Sequence, residues 1–237
     1  MSSDPAISTD TSWLLGLLQA SDSLYPTGAY AHSFGLEGLV DAGVITNCET
    51  LRTFLLTSVL PSLRHVELPL AAHAWKAFGA KDWEAIGEIC ILASALRAPR
   101  EMRQASEAIG RQRAEMTAGI QRSELAREFT RRATEFYWPH SSTISTALEA
   151  HVHGAPLAAA LAGICYATLA GIVAAAMKVL RLGQNGAQTL LTEALALCPP
   201  LVAAATATPL AEIGWFNPWL DIASARHESA PARLFIS

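Results

Sequence analysis

The chain is 237 residues long, yet it has no lysine or arginine before Arg52. With a net charge of −4 and a pI near 6.0 it lacks the clustered positive charge that neutralising a phosphate backbone requires, which excludes a general nucleic-acid binder. Cysteine is scarce. Cys48, Cys90, Cys165 and Cys198 lie far apart with no CxxC pair, so they indicate small buried residues of a reducing cytosol and not a disulfide frame or a zinc site. A P-loop, a GxGxxG after a strand, an HExxH and a GxSxG are all missing, and no serine, cysteine or acid has an evident local partner for nucleophilic or acid–base work. These absences favour a binding protein over an enzyme and imply no stably bound cofactor. The opening MSSDPAISTDTS has neither a cationic start nor a long apolar run, so residues 1–12 read as a disordered leader and not as a signal peptide.

Apolar residues are plentiful. A hydrophobic share of 51% against 16% charged residues allows a substantial core. Helical spacing dominates, with no useful β alternation, no internal repeat and no low-complexity linker. Helices are predicted at Trp13–Ala20 and from about His32 to Ala42. A longer one starts at Cys48, where Leu51, Leu55, Val59 and Leu63 share a face and Pro61 should kink or divide it. Segments 65–78, 82–96, 100–120 and 122–136 continue the series, and Asn217-Pro218 marks a last helix start, an Asn cap followed by Pro at the first helical position. The expectation is an all-α, single-domain bundle of roughly ten helices over residues 13–228.

Residues 97–132 hold nine arginines against five glutamates, which reads as a solvated helix face with surface pairs at Glu107/Arg111 and Glu128/Arg132. Leu157–Met177 is uncharged and long enough to span a membrane. Nine of its residues are alanine, however, so it reads as a central helix of a water-soluble bundle, packed closely through small residues. His151 and His153, two apart beside Gly154, have a spacing that suits a soft divalent metal in an extended loop but lack a third ligand. A helical metal-dependent enzyme built on them is the alternative reading.

Two stretches carry more than a bundle needs. In SDSLYPTGAYAHSFGLEGL, residues 21–39, Pro26-Thr27-Gly28 forms a tight turn and Gly28 permits a positive φ. On the helix that follows, Leu36, Leu39 and Val40 share the core face, while Tyr30, Phe34, Glu37 and Asp41 fall on an outward one. At the other end, DIASARHESAPARLFIS finishes with Leu234-Phe235-Ile236, which must either fold back on the core or be offered to another protein. Asp221, Arg226, His227, Glu228 and Arg233 add charge beside it.

Read together, these ends resemble the urease accessory protein UreF family. YPTGAYAHSFGLE (25–37) follows that family's opening LPxGA(Y/F)S(H/Y)SxGLE, and LDIASARHE (220–228) with RLF (233–235) follows its closing LDIAS(M)RHExxxxRLFRS. HVHGAPLAAALAG and VAAAMKVLRLGQ match its middle, in order. Ile236 stands where the family has arginine, Ala31 where it has serine, and Ala-Pro in HESAPARLF where it has Gln-Tyr. The resemblance implies a dimeric, all-helical, cytoplasmic non-enzyme, with no part in membranes. Such a protein bridges the accessory protein UreD (UreH) and the GTPase UreG in a complex that delivers nickel to apo-urease, the nickel and GTP being held by the GTPase. It further implies partner contacts through Tyr30, Phe34, Glu37, Lys178, Asp221, Arg226, His227, Glu228, Arg233, Leu234 and Phe235, with residues 229–237 as a partner-binding tail.

Overall fold

A proline within a helical pattern should break it, because it has no N–H and its ring presses on the carbonyl four residues earlier. In the computed structural model, which describes residues 11–22, 24–28, 33, 35–227 and 234–235, the chain from Cys48 to Ala80 nevertheless runs on as helix. Segments α3 (Cys48–Phe54), α4 (Leu60–Ser62) and α5 (Leu68–Ala80) are joined by two wide π turns, Leu55–Val59 and Leu63–Glu67. Each wide turn comes just before a proline, Pro61 or Pro69, and gives the ring the room an α turn would deny it. The carbonyl four residues before Pro69, that of His65, accepts instead the Gly214 N–H at 3.0 Å. Pro61 therefore neither divides nor ends the helix. At the start of α3, Asn47 and Thr50 cap each other, Thr50 N–H donating to Asn47 Oδ1 at 3.0 Å and Asn47 N–H to Thr50 Oγ1 at 3.1 Å.

The remaining helices are α1 (Ser12–Ser21), α2 (Leu36–Asp41), α6 (Trp83–Ala95), α7 (Arg100–Gly119), α8 (Glu124–Glu135), α9 (Ser142–Val152), α10 (Leu157–Val179), α11 (Gln184–Ala196), α12 (Cys198–Ala205) and α13 (Pro218–His227). No strand occurs among the described residues, and the architecture is all-α as the periodicity predicts. Residues 1–10 of the expected leader lie outside the described residues, and Ser12 already opens α1. The second helix is shorter than predicted and begins at Leu36, after Gly35.

One apolar core draws side chains from Leu36 to Phe235, with α9 packed between α5 and α7. Helix α10 is only half-buried. Ala160, Leu161, Ile164, Cys165, Leu169, Ile172 and Val173 face the core, whereas Ala158, Ala162, Tyr166 and Gly171 are exposed. The predicted central position is realised on one side: α10 packs against α1, α2, α5, α9, α11 and α12, while the alanines of its outer face serve helix propensity. By length and composition, Leu157–Val179 and Gln184–Ala205 are both apolar enough to cross a membrane.

The arginine-rich stretch divides. Arg127 and Arg131 lie on the solvated face as predicted, and Arg132 meets Glu128 at 2.6 Å. Glu107 does not form its predicted surface pair but accepts the Ser94 hydroxyl at 2.9 Å. Arg97 and Arg113 turn inward to Glu67 and Glu149.

Candidate functional site

The two distinctive ends of the sequence meet in space. Gly28 ends the Tyr25–Gly28 turn at φ 79°, the left-handed conformation its position called for. Gly35 caps α2 at φ 84°, and a Cβ there would stand 2.5 Å from Ser224 Oγ and 2.8 Å from Leu220 Cδ1 on α13. Glycine is required at 35 twice over, by its φ and by the close approach of the C-terminal helix. Helix α13 starts as predicted, the Asn217 side chain accepting the Leu220 N–H at 3.3 Å.

Glu37 does not point outward. It is only 6% exposed, in the first turn of α2 between the buried Leu36 and Leu39. Its backbone N–H donates to Ser33 Oγ at 3.3 Å. Its carboxylate accepts two successive backbone amides of the tail, Leu234 N–H at Oε1 (2.6 Å) and Phe235 N–H at Oε2 (2.9 Å). A charged carboxylate can be buried only when hydrogen bonds replace its lost hydration, and here the chain's own tail supplies them. Phe235 is 5% exposed and part of the core, and Lys178 Nζ, in the last turn of α10, lies 4.9 Å from its ring centre. Leu234 is 61% exposed.

The correction is therefore specific. The outward face assigned to Glu37 fails, because a pattern of apolar residues on one helix does not reveal that a segment 197 positions away covers the opposite face. The same geometry brings Glu37, Lys178, Leu234 and Phe235 to one place. Asp221 stands half-buried on α13, and burial raises its carboxyl above the ordinary range. Tyr30, Phe34, Glu228 and Arg233 lie outside the described residues, as do the side chains of Arg226 and His227, whose backbone forms the end of α13. Beside the junction α13 exposes Trp219 (77%) and Ile222 (47%), with Phe216 (80%) just ahead of it.

A second buried carboxylate escaped the sequence reading. Glu149 on α9, 1% exposed, accepts the Tyr25 hydroxyl at one oxygen and Arg113 Nη1 at the other. Arg113 also donates to the Ala20 carbonyl at 3.3 Å, and its guanidinium carbon lies 5.2 Å from the Tyr25 ring centre. Burial, followed by the bond to Glu149, raises the Tyr25 phenol above its ordinary range. This triad fixes the Tyr25–Gly28 turn to α7 and α9. The signal was present in the sequence: Arg113 lies four residues from Ile109, and Glu149 four from Ser145, both in buried register.

The two loop histidines of the alternative reading do not converge. Histidine 151 is in α9 with its ring edge-on to Trp75 at 5.1 Å, where burial lowers its pKa, while the His153 ring fills the space beside Gly16. Among the described residues no group of three His, Cys, Asp or Glu side chains is placed to hold a metal ion. A partly open pocket of about 220 Å³ borders the Arg97–Glu67 pair, and none of Glu37, Lys178 and Phe235 lines it.

The frame that carries this junction has a known counterpart. The family model for UreF matches residues 45–195, a span that includes Lys178 and the Arg113–Glu149 pair and leaves both chain ends outside it. With nearly two thirds of its length matched, and with the all-α architecture described above, the chain belongs to the UreF family of urease accessory proteins.

Proposed function

We propose that this protein is a non-enzymatic scaffold that bridges a UreD/UreH-type accessory protein and a UreG-type GTPase, regulating GTP-dependent nickel delivery to apo-urease. Family membership is the observation that carries this reading, since UreF proteins are urease accessory proteins. Nickel is cargo and GTP a partner's ligand in this scheme, and the chain acts as a cytoplasmic homodimer.

The junction of the chain ends supports a partner-facing role. Exposed Phe216, Trp219, Ile222 and Leu234 present aromatic and aliphatic area of the kind that anchors protein interfaces. Three of them lie on or just ahead of α13, which packs against α2; the segment 229–237 is the part the reading assigns to the UreD-type partner. Lys178 and His227 are the residues this reading assigns to the GTPase side, with Glu37 buried behind Leu234 and Phe235 as a residue that acts through them; Tyr30, Phe34, Asp221, Arg226, Glu228, Arg233, Leu234 and Phe235 are its further partner contacts.

The test is to mix the purified full-length chain with a UreD-type protein and a nickel-loaded UreG-type GTPase and to measure the mass of what forms. A ternary complex is the expected result. If no assembly beyond the chain's own oligomer appears, the bridging role is wrong.

A further inference from the structure

The pocket beside the Arg97–Glu67 pair has walls of two kinds. Phe54, Val59, Leu63, Ile109, Ile164 and Ile172 give it an apolar lining drawn from the long rod, α7 and α10. Its polar side is built from α7 and α9. Ser106 and Arg113 flank Ile109 along one face of α7, and Ser142 and Thr143 reach the pocket from the start of α9.

The charges on this side are already paired. Arg97 Nη2 donates to both Glu67 oxygens at 2.8 Å, and the Thr143 hydroxyl donates to the same carboxylate. Arg113 is paired with Glu149, which does not line the pocket. What is left over is a pair of donors. Arg113 Nε, on a side chain only 9% exposed, has no hydrogen-bond partner among the described residues. Ser106, 2% exposed, accepts the Ser142 N–H at 3.2 Å, and its hydroxyl oxygen lies 3.1 Å from that of Ser142. One of these two hydroxyls donates to the other, so the second hydrogen has no acceptor among the described residues. A buried donor without an acceptor is destabilising, and a molecule that brings an oxygen to it relieves that loss.

We propose that this pocket binds a small uncharged molecule with an apolar body and one hydrogen-bond-accepting oxygen, such as an aryl ketone. The size follows from the space. A dry cavity of about 150 Å³ holds benzene, so about 220 Å³ holds a ring with a short substituent. The body covers the aliphatic wall, and the oxygen accepts from Arg113 or from the serine pair. A carboxylate would accept the same bonds, but it would bring net charge to a wall whose charges are already matched, and its lost hydration outweighs them. A hydrocarbon of the same shape would fill the space and leave both donors without an acceptor.

The experiment titrates the full-length chain by calorimetry with acetophenone, ethylbenzene and benzoate, molecules of similar shape that differ in the oxygen and the charge. Acetophenone is expected to bind saturably and to raise Tm with concentration. It should bind roughly fivefold to tenfold tighter than ethylbenzene, the effect of about one hydrogen bond, and benzoate should bind more weakly than either. Absence of saturable acetophenone binding overturns the site. Equal affinity for ethylbenzene overturns its polar end, and tighter binding of benzoate overturns its neutrality.

Two variants locate the ligand. Gly163 lines the pocket, and a Cβ there would meet no atom within 4 Å. Gly163→Leu should therefore fill the space and abolish acetophenone binding while Tm holds or rises, leucine being the better helix former. Gly171 is equally open on the same helix but does not line the pocket, so Gly171→Leu should bind as the wild-type chain does. Unchanged binding in Gly163→Leu, or its loss in Gly171→Leu, would place the ligand elsewhere and refute the assignment.

Discussion

Glu37 and Glu149 are both buried glutamates, and they are satisfied in opposite ways. Glu149 is closed by side chains, an arginine and a phenol, that belong to the packed frame. Glu37 accepts two backbone amides, those of Leu234 and Phe235 near the C-terminus. Removing a partner of Glu149 strands a charge that cannot leave the interior. Losing the Leu234 and Phe235 amides also uncovers Glu37, because the residues that bond the carboxylate are the ones that cover it. Equal burial therefore does not mean equal contribution to the fold: the first carboxylate is architecture, and the second is a dock.

The largest effect should come from Arg113→Ala, which leaves Glu149 buried and uncompensated. A loss on the order of 3–5 kcal/mol in urea unfolding is expected, and a change within error of zero would remove the triad's structural role. Glu37→Ala is expected to cost less, about 1–3 kcal/mol, the range for stranding buried hydrogen-bond groups. The helical content should stay, and the amides of Leu234 and Phe235 should exchange with solvent markedly faster. Unchanged exchange at those two amides would mean that Glu37 does not hold the tail. By the same geometry, deleting Ala230–Ser237 should lower the melting temperature, since it takes Phe235 out of the core.

Tyr25→Phe comes next, at about 1 kcal/mol for one hydrogen bond. Its sign with pH is fixed by the direction of the phenol's shift. With the folded-state pKa raised, the stabilisation is complete below the ordinary tyrosine range near 10 and is lost as pH rises above it. The wild-type chain should therefore lose stability in alkali faster than Tyr25→Phe, and parallel curves would place the phenol in water. The smallest effect belongs to Lys178→Met, which keeps the aliphatic stem and removes the charge over Phe235. About 0.5–1 kcal/mol is expected in thermal unfolding, together with faster exchange in the tail but not in α9.

Much of the frame was legible in the sequence because it is set by local rules. The Asn47 and Asn217 caps, the positive φ at Gly28 and the succession of helices through residues 82–136 follow from side chains a few positions apart. Glu37 was misread for the converse reason. Its neighbours Leu36 and Leu39 mark one buried face, and nothing within a helical turn announces that Leu234 and Phe235 bury another. Arg113 was taken with the solvated arginines around it, although its register with Ile109 and Thr117 belongs to the core side of α7. The resemblance at the two ends and in the middle of the chain named Glu37, Phe235 and Lys178 as residues of interest; only the three-dimensional fold makes them neighbours.

The wide turns before Pro61 and Pro69 have a consequence of their own. Each holds one residue more than an α turn, and one residue is about 100° of rotation. Together they turn the stripe of α5 by roughly 200° from where an unbroken α-helix starting at Cys48 would aim it. The prolines thus act as phase markers for the long rod. A single-residue deletion within Leu55–Val59 would therefore turn that wide turn into an α turn and leave Leu70 and Phe78 facing the core, whereas a deletion at the start of α5 would rotate both by about 100° away from it.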